Sequence, residues 1–112
     1  GWDPLEGTSR LQLAPTMFQM ERVGFDEVPL IEILNAIETA TGVPIIVDYG
    51  RCRAHDIDPH EVRVSYPSKR TAWALLVNSV VRQARLTKEF KVDEAGHTFL
   101  YIYPFVPRPA AP

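Results

Sequence analysis

The chain has a single cysteine and no long apolar run, and both shortages limit what it can be. Cys52 is the one cysteine among 112 residues, so no disulfide can form within the chain. Cysteine usage therefore does not distinguish a reducing from an oxidising compartment. No uncharged apolar stretch approaches the roughly 20 residues of a membrane-spanning helix, and no signal-peptide pattern opens the sequence. Twelve basic and fourteen acidic residues give a net charge of −2, which predicts no general attraction to nucleic acid or anionic lipid.

The motifs that carry common enzyme chemistry are also missing. The six glycines are scattered, so neither a phosphate-binding loop nor the Gly-x-x-Gly loop of KH domains is present. Arg51 and Arg53 flank Cys52 and would favour a thiolate, but no oxyanion hole or orienting third group is recognisable. The sequence therefore predicts a chain without catalytic activity, cofactor or nucleic-acid partner.

Residues 52–61 hold the densest group of possible metal ligands. A zinc site would need four converging ligands, and this segment lacks a matching second pair elsewhere, since only His97 remains to help. We interpret the segment as a polar connection with a helical turn at residues 50–55 and a turn at Asp58 and Pro59. The alternative is a small ligand-binding or metal-binding domain that uses this loop. Its candidate ligands would be Cys52, His55, Asp56, Asp58, His60 and Glu61.

The two ends of the chain differ in composition from the middle. Residues 1–15 mix turn formers with scattered apolar residues and are expected to form an arm that docks on the domain. Residues 105–112 are rich in proline and are expected to form an extended linker. We expect one domain at residues 16–104, belonging to a longer parent protein, because the chain starts at Gly1 and its end has the composition of an interdomain linker.

The middle contains one structural pattern twice, at residues 17–48 and 62–103. In the first unit, Phe18 and Met20 alternate with polar residues as in a strand, and apolar residues then recur with helical spacing from Leu30 to Ala40. Pro29 is suited to the first turn of that helix, and Gly42 to a left-handed end. Residues 43–47 are apolar on both faces, which indicates a strand at the centre of a sheet.

The second unit begins with Val62, Val64 and Tyr66, which alternate with polar residues. Ser68 is predicted to cap a helix at residues 71–84 that is buried on more than half of its circumference, with Arg82 and Arg85 complementing the dipole of its last turn. Strands follow at residues 86–92 and 98–103, joined by a short hairpin loop. Together the units predict an α+β fold, a two-layer sandwich in which both helices cover one face of a small mixed sheet.

These packing residues resemble a known family. The segments LIEILNAIETATGVPIIV and TAWALLVNSVVRQARLTKEFKV look like the short N-terminal domain shared by secretins and TonB-dependent outer-membrane transducers, the STN or secretin N-domain type. The similarity covers residues 17–103, and Arg85 stands where the family usually has glycine. A left-handed Arg85 would cost on the order of 1 kcal/mol relative to glycine.

The resemblance implies a non-catalytic module of the bacterial cell envelope, periplasmic or exported, without direct membrane insertion. Its implied partner is another protein, either a neighbouring ring subunit, which would make the chain an oligomer, or an inner-membrane regulator. The family has no motif that assigns functional residues, so none is transferred.

The last strand supplies the candidate contact surface. Leu100 and Ile102 are predicted to face the helices, which leaves Phe99, Tyr101 and Tyr103 on the opposite face as partner-binding residues. The same face is expected to carry Gln19, Glu21, Arg63, Ser65, Thr87, Glu89 and Lys91. The alternative is that the N-terminal arm, through Trp2, Leu5 or Leu11, folds back and covers the aromatic row.

Overall fold

A computed structural model of the chain describes residues 15–106, and it has the α+β class that the sequence predicts. A short 3-10 helix at Pro15–Phe18 precedes five strands and three helices. In chain order these are β1 Met20–Pro29, α1 Leu30–Thr41, β2 Ile45–Val47, α2 Tyr49–Ala54, β3 Arg63–Ala72, α3 Trp73–Gln83, β4 Leu86–Val92 and β5 Thr98–Pro104. Residues 1–14 of the predicted arm and residues 107–112 of the predicted linker lie outside this description.

Helix α1 ends where its sequence predicts, but Pro29, predicted in its first turn, is the last residue of β1. Pro29 is the residue just before the helix, and the N–H of Leu30 donates to the carbonyl of Val62 at 2.9 Å. Gly42 follows the last turn with φ of 73°, and its N–H donates to Glu38 O at 2.8 Å. Glycine takes this left-handed conformation without a Cβ clash, which is why the helix stops there.

The strands form two sheets, so the prediction of one mixed sheet is wrong. β1 and β3 pair only with each other, antiparallel, while the second sheet has the order β2, β5, β4, with β2 parallel and β4 antiparallel to β5. α1 and α3 pack against each other, and each contacts both sheets. α1 contacts β1 and β2, and α3 contacts β3 and β4. The helix pair therefore joins the two sheets through a shared core.

The second unit differs from its prediction at the start of the helix. Ser68 lies within β3 instead of capping α3, which begins at Trp73 without a side-chain cap. The helix is also less buried than predicted, since Leu75, an apolar residue near its start, is 58% exposed. At the other end Arg85 has φ of 60°, which is the left-handed conformation.

Two strand assignments also change. β2 is an edge strand and β5 is the central one. Ile46 is 49% exposed although its segment reads as fully apolar, because it pairs with Tyr101 on the face of the sheet away from the core. In the first unit the predicted start of the strand is a 3-10 turn that includes Phe18, and Met20 at the start of β1 is exposed. Met17, within that turn, is fully buried instead.

One hydrophobic core joins the helices to the three-stranded sheet. Leu30, Leu34 and Ile37 come from α1, Leu76, Val77, Val80 and Val81 from α3, and Leu86, Leu100 and Ile102 from the three-stranded sheet. Burial of such side chains contributes about 1.5 to 3 kcal/mol each before the loss of chain entropy is subtracted.

None of the helices within residues 15–106 has the length and apolar character needed to span a membrane.

Candidate functional site: the outer face of the three-stranded sheet

The central strand β5 separates core residues from surface residues. Leu100 and Ile102 are fully buried, and Phe99, Tyr101 and Tyr103 are partly exposed. Successive side chains of a strand point to opposite faces, so the three aromatic rings share the face away from the core.

The strand register adds neighbours to this face. On β4, Lys91 lies opposite Phe99, Glu89 opposite Tyr101 and Thr87 opposite Tyr103. On β2, Ile46 pairs with Tyr101. Directly paired residues project to the same side of a sheet, so these side chains form one continuous surface. We name it the outer face: Ile46, Thr87, Glu89, Lys91, Phe99, Tyr101 and Tyr103.

Charged side chains pack directly on the aromatic rings of the outer face. The rings of Tyr101 and Tyr103 stack with centroids 5.2 Å apart. Lys91 Nζ lies 5.0 Å from the centroid of Tyr101, and Arg51 Cζ lies 4.8 Å from that of Tyr103. Each cation–π contact contributes about 0.5 to 1 kcal/mol at an exposed site. These contacts hold the rings in place while leaving part of each exposed.

Asp48 and Arg51 connect the central tyrosine to helix α2. Asp48 precedes α2, and its Oδ1 accepts from the N–H of Arg51 at 3.0 Å, as an N-cap does. The hydroxyl of Tyr101 donates to Asp48 Oδ2 and accepts from Arg51 Nη1 at 3.4 Å. The Tyr101 hydroxyl, followed by the N–H of Arg51, lowers the pKa of the Asp48 carboxyl below its ordinary value.

Sequence reasoning missed Asp48, Arg51 and Ile46 as neighbours of the aromatic row. Asp48 followed by Tyr49, Gly50 and a basic residue does carry an N-cap signal. Nothing in the sequence shows that Tyr101, 53 residues away, binds that carboxylate.

The predicted polar rim is only partly correct. Thr87, Glu89 and Lys91 belong to the outer face, but Glu21, Arg63 and Ser65 lie on the separate sheet of β1 and β3, and Gln19 precedes β1. The backbone N–H of Ser65 donates to Gln83 Oε1 at 3.0 Å, and Gln83 Nε2 donates back to Ser65 O at 2.9 Å. These bonds tie β3 to α3. The arm residues Trp2, Leu5 and Leu11 lie outside the described residues.

The fold buries one of the candidate metal ligands of residues 52–61 and leaves the others exposed. Cys52 is 0% exposed, and burial raises the pKa of its thiol. By contrast His55, Asp56, Asp58, His60 and Glu61 are all exposed. The ring of His60 stacks on Tyr49 with ring centroids 5.3 Å apart, and the backbone N–H of His60 donates to Asp58 Oδ1 at 3.0 Å. Among the described residues no three His, Cys, Asp or Glu side chains are grouped so that they could hold one metal ion.

The predicted local structure of this loop is present. α2 covers Tyr49–Ala54, close to the turn expected at residues 50–55, and the N–H of Glu61 donates to Asp58 O at 3.0 Å to close the second turn.

Comparison with known proteins finds no matching family model, no significantly similar curated protein and no significantly similar solved structure.

Proposed function

We propose that this chain is a non-catalytic protein–protein interaction module and that it contacts its partner through the outer face. The observation that carries the proposal is the arrangement on three adjacent strands, in which stacked tyrosines are surrounded by Ile46, Arg51, Glu89 and Lys91. Tyrosine and arginine are enriched among the residues that dominate binding energy at protein interfaces.

The magnitudes favour a contact surface. Full burial of a ring of this size yields roughly 1.5 to 3 kcal/mol, and a partner would gain the share of this that belongs to the part of each ring still exposed. The rings are already ordered by stacking and by the cations above them, so a partner would lose little additional side-chain entropy on binding. Charged groups beside the rings supply orientation and specificity.

Two positive observations support a role without catalysis. The thiol of Cys52 is buried in the core, and its pKa is raised, which lowers its thiolate fraction. The carboxylate of Asp48 is occupied by Tyr101 and by the start of α2, and its lowered pKa makes it a poor proton acceptor near neutral pH.

The resemblance to the secretin and transducer N-terminal domain adds the setting. It places the module in a larger bacterial cell-envelope protein, periplasmic or exported, where the partner is a neighbouring subunit or an envelope regulator. This part of the proposal rests on the resemblance alone.

Site-specific photo-cross-linking tests the contact surface. A photoreactive phenylalanine derivative replaces Tyr103 in the protein as its own cells express it, and the cells are then irradiated. We expect a discrete cross-linked product that weakens when Tyr101→Ala is also present. The matched control places the same group at Arg70, an exposed residue on the other sheet, and should give no such product. Identical products from both positions would contradict the proposal.

The stability of Tyr101→Ala provides the second arm of this test. We expect a loss of about 1 to 3 kcal/mol, because the substitution removes a stacking contact, a cation–π contact and the hydrogen bond to Asp48 at a partly exposed site. A loss of about 4 to 5 kcal/mol, as for truncation of a fully buried aromatic residue, would indicate that the ring is core, and the outer face would then be no interface.

A further inference from the structure

A cleft runs along the C-terminal end of α3, next to the start of β4. Its larger part, about 530 Å³, is lined by Asn78, Ser79, Val81, Arg82 and Thr87. Its smaller part, about 270 Å³, is lined by Arg82, Arg85, Leu86, Thr87 and Phe105. Arg82 and Thr87 line both parts, so the two cavities are neighbours on one surface, and we call them together the cleft.

The backbone builds the smaller part of this cleft. Arg85 turns the chain sharply from α3 into β4 with φ of 60°. Leu86 then pairs with Pro104, and the N–H of Phe105 donates to Arg85 O at 3.0 Å. Arg85 and Phe105 are therefore held side by side although they are 20 positions apart in the chain.

The lining combines positive charge with exposed aromatic surface. Arg82 and Arg85 form no ion pair in the part of the chain that the structure describes, and no carboxylate lines either cavity. Phe105 is 60% exposed beside them. Two cations at a helix C-terminus complement the helix dipole. That role explains neither the cleft nor the exposed ring in it.

We propose that this cleft binds an acidic peptide segment of a partner protein. Carboxylates of the peptide pair with the guanidinium groups of Arg82 and Arg85, whose planar donors fit carboxylate oxygens two at a time. An apolar side chain of the peptide packs on Phe105. The size of the two neighbouring cavities favours a peptide over a single small ion, because one water-sized species needs only about 10 to 15 Å³ of such volume. The inference does not depend on the outer-face proposal: Thr87 borders both surfaces, but the proposed binding residues Arg82, Arg85 and Phe105 are not outer-face residues.

Binding of a defined probe tests this inference on the whole 112-residue chain. The probe is a fluorescein-labelled, aspartate-rich peptide that contains one phenylalanine, and fluorescence anisotropy reports its affinity. We expect Arg82→Gln with Arg85→Gln to weaken binding about tenfold or more, as the loss of charge-assisted contacts predicts. Phe105→Ala should weaken binding of this peptide but not of a version with alanine in place of phenylalanine.

The matched control is a second basic pair. Arg22 and Arg70 are exposed and lie opposite each other on β1 and β3. Replacing both with Gln removes the same charge and should leave the affinity within about twofold, because exposed charges at a distance are screened by salt. Arg82→Gln alone, which leaves the strained position at Arg85 unchanged, keeps the test valid should the double variant fold poorly.

Four outcomes would overturn the inference. The acidic peptide does not bind, or both double variants weaken it equally, which would indicate general electrostatic attraction. Inorganic phosphate or vesicles of anionic lipid compete as well as the unlabelled peptide, which would make the cleft an anion or membrane site. Sedimentation shows that the cleft is filled by a second copy of the chain, with the double variant monomeric.

Discussion

At the scale of the residue, Asp48 connects the outer face to the rest of the molecule. Its carboxylate accepts hydrogen bonds from Tyr101 and from the N–H of Arg51, and these bonds hold the pKa of Asp48 below its ordinary value. A carboxylate with a lowered folded-state pKa stabilises the fold above its unfolded-state pKa of about 3.9, and this stabilisation disappears as the pH falls through the folded-state value.

Tyr101→Phe is expected to raise the pKa of Asp48 towards its ordinary value, because the variant lacks the hydroxyl that contributes most to the shift. Carboxyl-carbon NMR titration measures this pKa directly. The difference in melting temperature between wild type and variant should therefore narrow as the pH falls below about 3.9. Tyr103→Phe is the control and should leave the pKa of Asp48 unchanged. An unchanged pKa in Tyr101→Phe would show that the hydroxyl does not bind the carboxylate in solution.

Cys52 is expected to behave as a core residue and not as a nucleophile. Burial raises the pKa of its thiol, with Asp48 adding to the effect and Arg51 opposing it. The folded chain should react with a disulfide reagent at pH 7 far more slowly than the same chain in urea. A native rate that equals the rate in urea would refute the buried position of the thiol.

At the scale of the element, two glycines have opposite roles. Gly24 lies in β1 where the pairing with β3 shifts register, and an added Cβ would come within 2.7 Å of Ser68 Cα. Only a residue without a side chain lets the two backbones approach so closely. Gly50 lies in α2, and its Cβ would meet nothing closer than Asp48 Oδ1 at 3.6 Å.

Alanine substitutions at these glycines should change stability in opposite directions. We expect Gly24→Ala to destabilise the domain by about 1 to 3 kcal/mol through overpacking of the β1 and β3 ribbon. Gly50→Ala should stabilise it by up to about 1 kcal/mol, because alanine favours the helix and restricts the unfolded chain. Urea unfolding monitored by circular dichroism measures both values. Equal effects of the two substitutions would contradict the close approach at Gly24.

At the scale of the whole molecule, the helix pair makes the two sheets one cooperative unit. α1 and α3 each contact both sheets, and the buried residues form one cluster. A substitution that destabilises the core under the three-stranded sheet should therefore also lower the stability of the two-stranded sheet.

Leu100→Ala should cost about 2 to 5 kcal/mol, because Leu100 is fully buried and the substitution leaves a cavity. Ile46→Ala, at the paired edge strand of the same sheet, should cost about 1 kcal/mol or less. Native-state hydrogen exchange of the amides of β3 should accelerate in Leu100→Ala. Unchanged protection in β3 would show that the sheets unfold separately.

Much of the local structure was readable from the sequence. The spacing of apolar residues and Gly42 define α1, the alternation in β5 separates Leu100 and Ile102 from the tyrosines, and the bounds of β4 match their prediction. These features depend on residues within a few positions of one another, so backbone preferences and periodicity are sufficient to predict them.

The tertiary structure decided which strands pair. Val64 and Tyr66 identify β3 as a strand, but only pairing with β1 extends it through Ser68 to Ala72 and separates the two sheets. Pairing likewise made β2 an edge, and it brought Asp48 to Tyr101 and Arg85 to Phe105. Strand pairing joins residues that are far apart in the chain, and its choice depends on how the whole core can be filled, which no local sequence signal specifies.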